Sequence, residues 1–454
     1  MVFDRSLVAV LSMLCAAIWI GHLTPPFQSP DEFDHIERAY LLSNGQLLLE
    51  TPAGGASGGY VDSGLLEYMA SFESLPRRSE AKISTEQINA AKKIDWSGEQ
   101  IYETLPGTGY YFPLIYLPQA IALSIGEFLG HSVDVSYKLA RLFCLGVGSL
   151  LLLAAFRVTT PSALVIALLF LPMALFQASA ASIDFVSTSI LLLIIALYID
   201  IMKRPAQPRL PKLVGLSVLI FLLAGCRLHM APLVLLPLTI GVRFRYAHAI
   251  FLFSVLCVAI VFWYGFALSV TKDTRVELGA STSEIIRYYV SNPLQFFDLL
   301  WITLSDGERS LYLLHSFLGV LGWLDVYFTS QTYSILYLTI LVVLFLAIVQ
   351  GRIDDRLVSF ALFSSALGGF FIVFFSLLVT WTPHPASAIL GVQGRYFLLP
   401  MLLLASLFDV QRTVDDHKKR YRMAENMFLI LLFAFSVFSV TNALETRYFL
   451  AKGI

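Results

Sequence analysis

The most regular feature of the sequence is the alternation of long apolar runs with shorter polar segments. A helix of about 20 apolar residues is long enough to cross the hydrocarbon core of a bilayer, and eleven runs come near that length. We therefore predict an all-α polytopic membrane protein with about 11 transmembrane helices, in which residues 1–454 form a single transmembrane domain. The predicted spans are residues 6–23, 138–156, 161–179, 183–201, 213–227, 229–242, 247–270, 331–350, 357–380, 396–410 and 425–443.

Composition agrees with this prediction and excludes other classes of protein. Apolar residues make up 57% of the chain and charged residues only 14%, whereas soluble domains average about 45–50% and about 25% respectively. A soluble globular enzyme is therefore excluded. The formal net charge is -1, so the chain has no overall basic field and no nucleic-acid partner is expected.

Basic residues near the ends of the spans predict their orientation. Many of the 31 Lys and Arg residues fall in four short segments, residues 203–212, 243–245, 352–356 and 412–422. Short loops rich in Lys and Arg face the cytoplasm. The N-terminus and these four segments are therefore predicted to be cytoplasmic.

Two long polar segments, residues 24–137 and 271–330, are then predicted to be extracytoplasmic loops. The first contains the run 110–130, which is apolar enough to span but would invert the orientation of every later span. Its prolines and tyrosines favour a juxtamembrane helix that lies in the membrane interface. We therefore predict that this run does not cross the membrane.

The strongest local signal follows the first span, where three prolines end the helix and Ser29 or Asp31 can cap a new one. On that helix Asp31, Asp34 and His35 share one face, and Glu32 shares a neighbouring face with His35. Partial desolvation of clustered carboxylates raises the pKa of at least one towards the range of a general base. Glu32 and His35 are also candidate ligands for a divalent metal, Mg²⁺ or Mn²⁺. The alternative is a solvated helix start without chemistry, because acidic residues stabilise a first turn anyway.

A second candidate site is the glycine-rich segment 391–397, which contains Gln393, Arg395 and Tyr396. Glycines let the backbone approach a ligand closely, and the Arg395 guanidinium presents five donors suited to a phosphate. This combination favours a lipid phosphate as the ligand. The alternative is an arginine that extends from a helix end to the lipid headgroups.

Polar residues at membrane depth form a third candidate group. Asp184 lies at the hairpin between two predicted spans, near the start of the second, and Arg227 and His229 lie at another hairpin, at the facing ends of two further spans. Ionisable groups near membrane helices usually mark function, although Asp184 can also simply pair with Arg227 or Arg141. The later stretch 317–325 is aromatic and glycine-spaced, which suits either a lipid or sugar groove or an interfacial anchor.

The same motifs resemble a family of bacterial polytopic membrane proteins known as domain of unknown function 2142. Five segments match in order, and together they extend over nearly the whole chain. The matching segments are residues 29–40, 111–120, 171–184, 292–325 and 391–400. The family itself is similar to the GT-C glycosyltransferases, which use polyprenyl-phosphate-linked sugars.

The resemblance implies specific roles for three residues. Asp31 or Glu32 corresponds to the catalytic carboxylate at the start of the first outer loop, and Arg395 to a phosphate contact. One departure is Arg227, which stands where the family has a lysine in its mid-chain helix, so no role is carried over to it. The resemblance does not identify the sugar or the acceptor.

These inferences combine into one predicted function, a GT-C-like glycosyltransferase of the bacterial inner membrane with an extracytoplasmic active site. It would move a sugar from a polyprenyl-phosphate donor to an envelope glycan or lipid-linked acceptor in a single inverting displacement. Asp31 and Glu32 are the predicted catalytic residues. The residues predicted to bind substrate are Asp34, His35, Arg38, Arg141, Asp184, Gln393, Arg395 and Tyr396. The alternatives are a lipid-linked glycan flippase, a secondary transporter and a noncatalytic subunit of an envelope assembly complex.

Overall fold

The computed structural model describes residues 5–408 and 416–449, with side chains described for 5–408 and 421–449. Apart from short 3-10 turns and one small sheet, the regular elements are α-helices. In chain order they are α1 (Arg5–Leu23), α2 (Glu32–Ser43), α3 (Ser63–Ala70), α4 (Thr85–Ala91), α5 (Leu117–Phe128), α6 (Val133–Val158), α7 (Ala163–Leu169), α8 (Pro172–Ala178), α9 (Asp184–Lys203), α10 (Leu210–Cys226), α11 (Leu235–Phe244), α12 (Ala247–Val270), α13 (Thr282–Ser291), α14 (Pro293–Ser305), α15 (Gly307–Gly319), α16 (Ser330–Gln350), α17 (Arg356–Thr380), α18 (Leu398–Ala405) and α19 (Asp416–Tyr448).

Within the described residues, seven helices are long and apolar enough to cross a membrane. They are α1, α6, α9, α12, α16, α17 and the Tyr421–Tyr448 part of α19. The shortest of them, α1, has 19 residues and is therefore about 28 Å long at about 1.5 Å per residue. This length matches the hydrocarbon core of a bilayer. The chain is thus an all-α membrane protein, as the sequence predicted.

The other four predicted spans are short or interrupted helices. The run 161–179 divides into α7 and α8 because Pro172 lacks an N–H and begins a new helix. The run 229–242 likewise divides into a 3-10 helix, which contains Pro232, and the 10-residue α11. α10 has 17 residues and α18 has only 8. The last two residues of the predicted span 396–410 lie outside the described part of the chain, as does part of the basic segment 412–422.

The segment 110–130 folds into a 3-10 turn, Pro113–Tyr116, followed by the 12-residue α5. At about 1.5 Å per residue α5 is about 18 Å long, too short to cross a bilayer. It packs against α2 and α6. The segment between α1 and α6 also contains a two-stranded antiparallel sheet of β1 (Gly58–Asp62) and β2 (Gln100–Thr104), with Tyr60 opposite Tyr102.

The centre of the helix bundle is α9, which packs along α6. Within the most apolar window of α9, 83% of the residues are buried, whereas the other six long helices have 22% to 44%. α9 begins at Asp184 and ends at Lys203, so the two ends of the bundle differ in chemistry. The loop 203–212 lies at the Lys203 end. The end of α10 and the start of α18 lie beside Asp184, and the end of α1 lies beside Ser179 in the turn before α9.

Candidate functional site at the Asp184 end of the bundle

The loop after α1 presents Asp31 in a constrained conformation. Phe27 and Asp31 both have φ near +60°, a left-handed conformation that non-glycine residues seldom adopt. The Phe27 ring stacks on Phe33 with centroids 4.8 Å apart. The Phe27 N–H donates to the Tyr137 hydroxyl at 3.0 Å, and the Phe27 carbonyl accepts from Trp323 Nε1 at 2.9 Å. Such strain persists only where surrounding contacts fix it, so these contacts set the position of Asp31.

Asp31 and Arg395, 364 residues apart in the sequence, form a direct ion pair. Arg395 Nη2 donates to Asp31 Oδ2 at 2.7 Å. The Asp31 side chain is 52% exposed, whereas that of Arg395 is only 4% exposed. Desolvation by the surrounding protein tends to raise the pKa of Asp31, but the Arg395 guanidinium and His35 together outweigh it and hold this pKa below its usual value. Asp31 is therefore an ionised carboxylate with one open side.

The pair continues into an alternating series of charges that we call the ion-pair chain, formed by Asp31, Arg395, Asp184 and Arg227. Arg395 Nη1 lies 3.8 Å from Asp184 Oδ2, and Arg227 Nη2 donates to Asp184 Oδ1. The Asp184 and Arg227 side chains are 11% and 12% exposed. Its members come from the loop after α1, the turn before α18, the start of α9 and the end of α10. Four separate segments thus meet at one point.

Arg395 is held by its own motif. Its Nε donates to Gln393 Oε1 at 2.6 Å, and its guanidinium lies 5.2 Å from the centre of the Tyr396 ring. The Gly394 N–H donates to the Ser316 hydroxyl at 2.8 Å, and a Cβ on Gly394 would collide with the backbone of α15. The glycine thus allows close backbone packing that orients the arginine.

Glu32, although adjacent to Asp31, lies in a closed environment with 0% exposure. Its carboxylate accepts hydrogen bonds from the Ser29 N–H at 3.2 Å, the Tyr137 hydroxyl at 2.8 Å, the Ala181 N–H at 2.8 Å and Arg141 Nε at 3.4 Å. These partners join the start of α2 to α6 and to the loop before α9. The predicted catalytic role of Glu32 conflicts with this burial, because a substrate cannot reach the carboxylate in this conformation.

Neither Asp31 nor Ser29 caps α2 as predicted. Asp31 occupies the N-cap position, but its side chain makes no hydrogen bond to the first turn of the helix. The Asp31 carboxylate is turned towards Arg395, and the Ser29 hydroxyl has no partner among the described residues. The acidic residue at the helix start is therefore used for the ion pair and not for capping.

Two arginines predicted to bind substrate bind backbone carbonyls instead. Arg141 Nη1 donates to Gly21 and Thr24 and its Nη2 to Pro25, at 3.0 to 3.2 Å. Arg38, which is 2% exposed, donates to the carbonyls of Gln46 and Leu47. The last carbonyls of a helix have no partner within the helix, and Arg141 satisfies one of them, that of Gly21, together with two carbonyls of the loop after α1. Both arginines therefore stabilise the loops that surround the site.

His35 and Asp34 follow on α2. His35 is 4% exposed, and its Nδ1 shares a hydrogen bond of 2.9 Å with the Tyr116 hydroxyl. Burial lowers the pKa of His35 to about 4, so the ring is neutral at pH 7. Burial, with a further contribution from Asp31, raises the pKa of Asp34 to about 6. The pKa values of two neighbouring carboxylates are thus shifted in opposite directions, that of Asp31 downwards and that of Asp34 upwards.

The residues predicted to bind a metal do not fit that role. All four hydrogen bonds of Glu32 go to protein groups, and one ring nitrogen of His35 is engaged by Tyr116. Over residues 5–408 and 421–449, no three His, Cys, Asp or Glu side chains group as they would around a metal ion. The Glu32 and His35 side chains therefore do not form a binding site for Mg²⁺ or Mn²⁺.

A small cavity adjoins the ion-pair chain, and two of its lining residues, Arg227 and His229, had no role assigned from the sequence. Two buried nitrogen atoms, Arg227 Nε and His229 Nε2, have no hydrogen-bond partner among the described residues. The feature of the sequence that pointed to them was the presence of two ionisable residues, Arg227 and His229, between two apolar runs. The cavity is lined by Gln177, Asp184, Ser187, Thr188, Arg227, His229, Arg395, Tyr396, Leu398 and Leu399.

Trp323 also has a different role from those considered for the stretch 317–325. It is partly buried, its ring centre lies 5.9 Å from that of Phe33, and it donates to the Phe27 carbonyl. The residue therefore supports the loop that carries Asp31. No local pattern in the sequence indicates this contact, because 296 residues separate its partners.

The comparison with known families agrees with the membrane fold. The sequence matches the family described as predicted membrane protein (DUF2142) over residues 13–405, which includes all four members of the ion-pair chain. No curated protein matches the chain significantly. The chain belongs to the DUF2142 family of predicted membrane proteins.

Proposed function

We propose that this protein is a GT-C-type glycosyltransferase that moves a sugar from a polyprenyl-phosphate donor to an envelope glycan or lipid-linked acceptor. The observation that carries the proposal is the pair of Asp31 and Arg395. A carboxylate that solvent can reach lies beside a buried arginine, at a common end of several apolar helices. A general base for a hydroxyl and a cationic contact for a phosphate are the two groups that such a transfer requires.

The proposed topology has eleven crossings, a cytoplasmic N-terminus and an extracytoplasmic site in a bacterial inner membrane. Short helices can complete a crossing when their breaks are buried within the protein, and every residue of α7 and α8 is buried. The basic segments 203–212 and 243–245 lie at the opposite end from Asp184, as the positive-inside rule requires for a cytoplasmic face. The ion-pair chain then lies at the outer surface.

The ion pair suggests that donor binding activates the base. A phosphate oxygen is an acceptor for a guanidinium, so the donor phosphate competes with Asp31 for Arg395. Once Arg395 turns to the phosphate, the contact that lowers the pKa of Asp31 is lost. The carboxylate becomes a stronger base only when a donor is present, which limits the loss of donor to water.

The transfer itself is a single displacement. Asp31 accepts the proton of an acceptor hydroxyl, and the hydroxyl oxygen forms a bond to the anomeric carbon of the sugar. The bond between that carbon and the phosphate oxygen breaks, and the oxygen keeps the electron pair. Arg395, with Arg227 behind it, stabilises the negative charge that develops on the phosphate. One displacement inverts the configuration of the anomeric carbon.

The test is transfer of radiolabelled sugar from a panel of polyprenyl-phosphate donors, in membranes that contain the wild type or Asp31→Asn. Asp298→Asn, a change of an exposed outer aspartate in α14, is the matched control. Label should reach an acceptor with the wild type and Asp298→Asn but not with Asp31→Asn, and parallel reactions with EDTA report any metal requirement.

Two results would overturn the proposal. Equal rates of transfer by Asp31→Asn and the wild type would show that Asp31 is not the general base. No transfer across the donor panel, together with labelled lipid that changes leaflet, would favour the flippase.

A further inference from the structure

The cavity beside the ion-pair chain lies deeper in the bundle than Asp31. Ser187 and Thr188, which line it, are one turn further along α9 than Asp184, and Leu398 lies in the first turn of α18. Asp31 is not among its lining residues. The ion-pair chain therefore separates an outer side, where Asp31 is exposed, from an inner cavity.

Two nitrogen atoms among the cavity-lining residues lack protein partners within the described part of the chain. Arg227 Nε and His229 Nε2 are both buried, and neither has a hydrogen-bond partner among the described residues. Nearly all buried polar groups in native proteins are hydrogen-bonded, and an unpaired one is costly. Two unpaired nitrogen atoms beside one cavity are groups to which a ligand with acceptor oxygens can bind.

The charges around the cavity select the kind of ligand. The two guanidinium groups of Arg227 and Arg395 disfavour a cation. Asp184 is the one carboxylate in the lining, but its oxygens are engaged by Arg227, by Arg395 and by the Ser182 hydroxyl at 3.1 Å. An anionic group with only acceptor oxygens fits this arrangement, and a phosphate is such a group.

We propose that the cavity binds the phosphate of the lipid-linked donor, with Arg227 Nε and His229 Nε2 as hydrogen-bond donors. This inference rests on the proposed function and assigns the binding site of the leaving group. The phosphate enters the inner cavity while the acceptor approaches Asp31 from the exposed side. The sugar then lies between them across Arg395, so that attack and departure occur on opposite faces of the anomeric carbon.

His229 is the informative position for mutation, because its Nε2 makes no bond that a substitution would break. His229→Phe removes the donors and keeps a ring of similar size, whereas His229→Gln retains an N–H. His131→Phe changes an exposed histidine in the loop after α5 and is the matched control. The full chain in lipid nanodiscs is titrated with geranylgeranyl phosphate, with geranylgeraniol and with inorganic phosphate.

The wild type and His131→Phe should bind geranylgeranyl phosphate with equal affinity. His229→Phe should raise the Kd roughly 10- to 100-fold, the range expected for one hydrogen bond to a charged group, and His229→Gln should raise it less. Without ligand, the thermal unfolding midpoint of His229→Phe should be no lower than that of the wild type. A purely structural histidine would give the opposite pattern, with a lower midpoint and an unchanged Kd.

Three results would overturn the inference: an unchanged Kd in His229→Phe, equal binding of the alcohol, or inorganic phosphate binding as tightly as the lipid. The last would assign the cavity to a free anion. Binding is measured without transfer, so failure of the proposed function remains distinguishable. If binding depends on His229 but the protein transfers no sugar, the cavity is still the phosphate site and the proposed glycosyltransferase function is wrong. If the protein transfers sugar and His229→Phe leaves the KM for the donor unchanged, the glycosyltransferase function is supported and the cavity is not the phosphate site.

Discussion

Two ion pairs at opposite ends of the helix bundle have the same chemistry and different surroundings. At one end Asp184 pairs with Arg227, and their side chains are 11% and 12% exposed. At the other end Asp355 pairs with Arg243, and the exposed fractions are 28% and 35%. Each pair joins an aspartate at a helix start to an arginine at or just beyond the end of another helix. The difference between them is burial.

Burial changes how much an ion pair contributes to stability, and therefore which role it fits. An exposed pair adds about 0 to 1 kcal/mol to stability, so the Asp355 pair is a minor surface feature. A buried pair loses hydration that its mutual attraction only partly restores, and apolar side chains often serve equally well. The buried Asp184 pair, which adjoins unpaired nitrogen atoms and a half-exposed Asp31, therefore fits a ligand site better than a structural fastening.

The largest expected effect concerns the outer end of the ion-pair chain. Asp31→Asn should lower the rate of sugar transfer by about 10²- to 10⁴-fold, the usual contribution of a general base. Insertion and folding should be unaffected, because the side chain is half exposed and asparagine still offers Arg395 an acceptor oxygen. The measurement is the initial rate of transfer per amount of inserted protein. A rate within a few-fold of the wild type would exclude Asp31 as the base.

The next effect concerns the stability of the buried pair. Asp184→Asn leaves Arg227 without its carboxylate and should lower the free energy of unfolding by about 3 to 5 kcal/mol. Reversible unfolding in mixed micelles measures this quantity. A loss below about 1 kcal/mol would show that the buried Asp184 pair contributes no more to stability than the exposed Asp355 pair, so that burial does not distinguish them.

An intermediate effect concerns pH. The folded pKa of Asp34 is about 6 and the ordinary value is 3.8. Between about pH 4 and 6 the unfolded chain loses this proton while the folded protein keeps it, so stability falls as pH rises and stays lower above pH 6. Asp34→Asn should remove this fall. The measurement is the thermal unfolding midpoint of wild type and variant from pH 4 to 7.

The control for the pH experiment is Asp298→Asn, which removes an exposed carboxylate in α14. Its profile should run parallel to that of the wild type. The lowered pKa of His35 adds a loss of stability towards low pH in all three proteins, and it cancels in the differences. Parallel profiles for wild type and Asp34→Asn would contradict the prediction.

The smallest effect is expected at the opposite end of the bundle. Asp355→Asn should change the free energy of unfolding by less than about 1 kcal/mol. Asparagine retains the oxygen that caps α17, which in Asp355 accepts from the N–H groups of Leu357 and Val358. The substitution therefore isolates the ion pair with Arg243. A loss as large as that of Asp184→Asn would show that burial does not decide the strength of these pairs.

The sequence located the two central members of the proposed site. Asp31 and Arg395 were both singled out from short motifs, and the structure brings them into contact. The pairing of Asp184 with Arg227 was one of two partners that the sequence offered. Asp31 and Arg395 were recognisable from the proline- and glycine-containing motifs around them, and Asp184 and Arg227 because ionisable groups at membrane depth are uncommon.

The same reasoning failed where two charged residues of equal appearance have different neighbours. Glu32 follows Asp31 directly, yet the Tyr137 hydroxyl and the Ala181 N–H enclose its carboxylate. Arg38 and Arg141 resemble Arg395 in type, but backbone carbonyls occupy their donors. A local pattern records the kind of side chain and not the groups that reach it from distant parts of the chain.

By itself, the sequence determined that the chain lies in a membrane and is mainly helical. Its long apolar runs favour the bilayer, and within a bilayer a helix satisfies every backbone polar group of such a run. The sequence also contains the cause of two helix breaks, since Pro172 and Pro232 lack backbone donors, although the predicted spans 161–179 and 229–242 ran through both residues. The tertiary structure alone decided which carboxylate is open and which is enclosed, and that Arg227 and His229 face a common cavity. Burial and pairing depend on contacts between α9, α10, α18 and the loop after α1, and such contacts leave no trace in local periodicity.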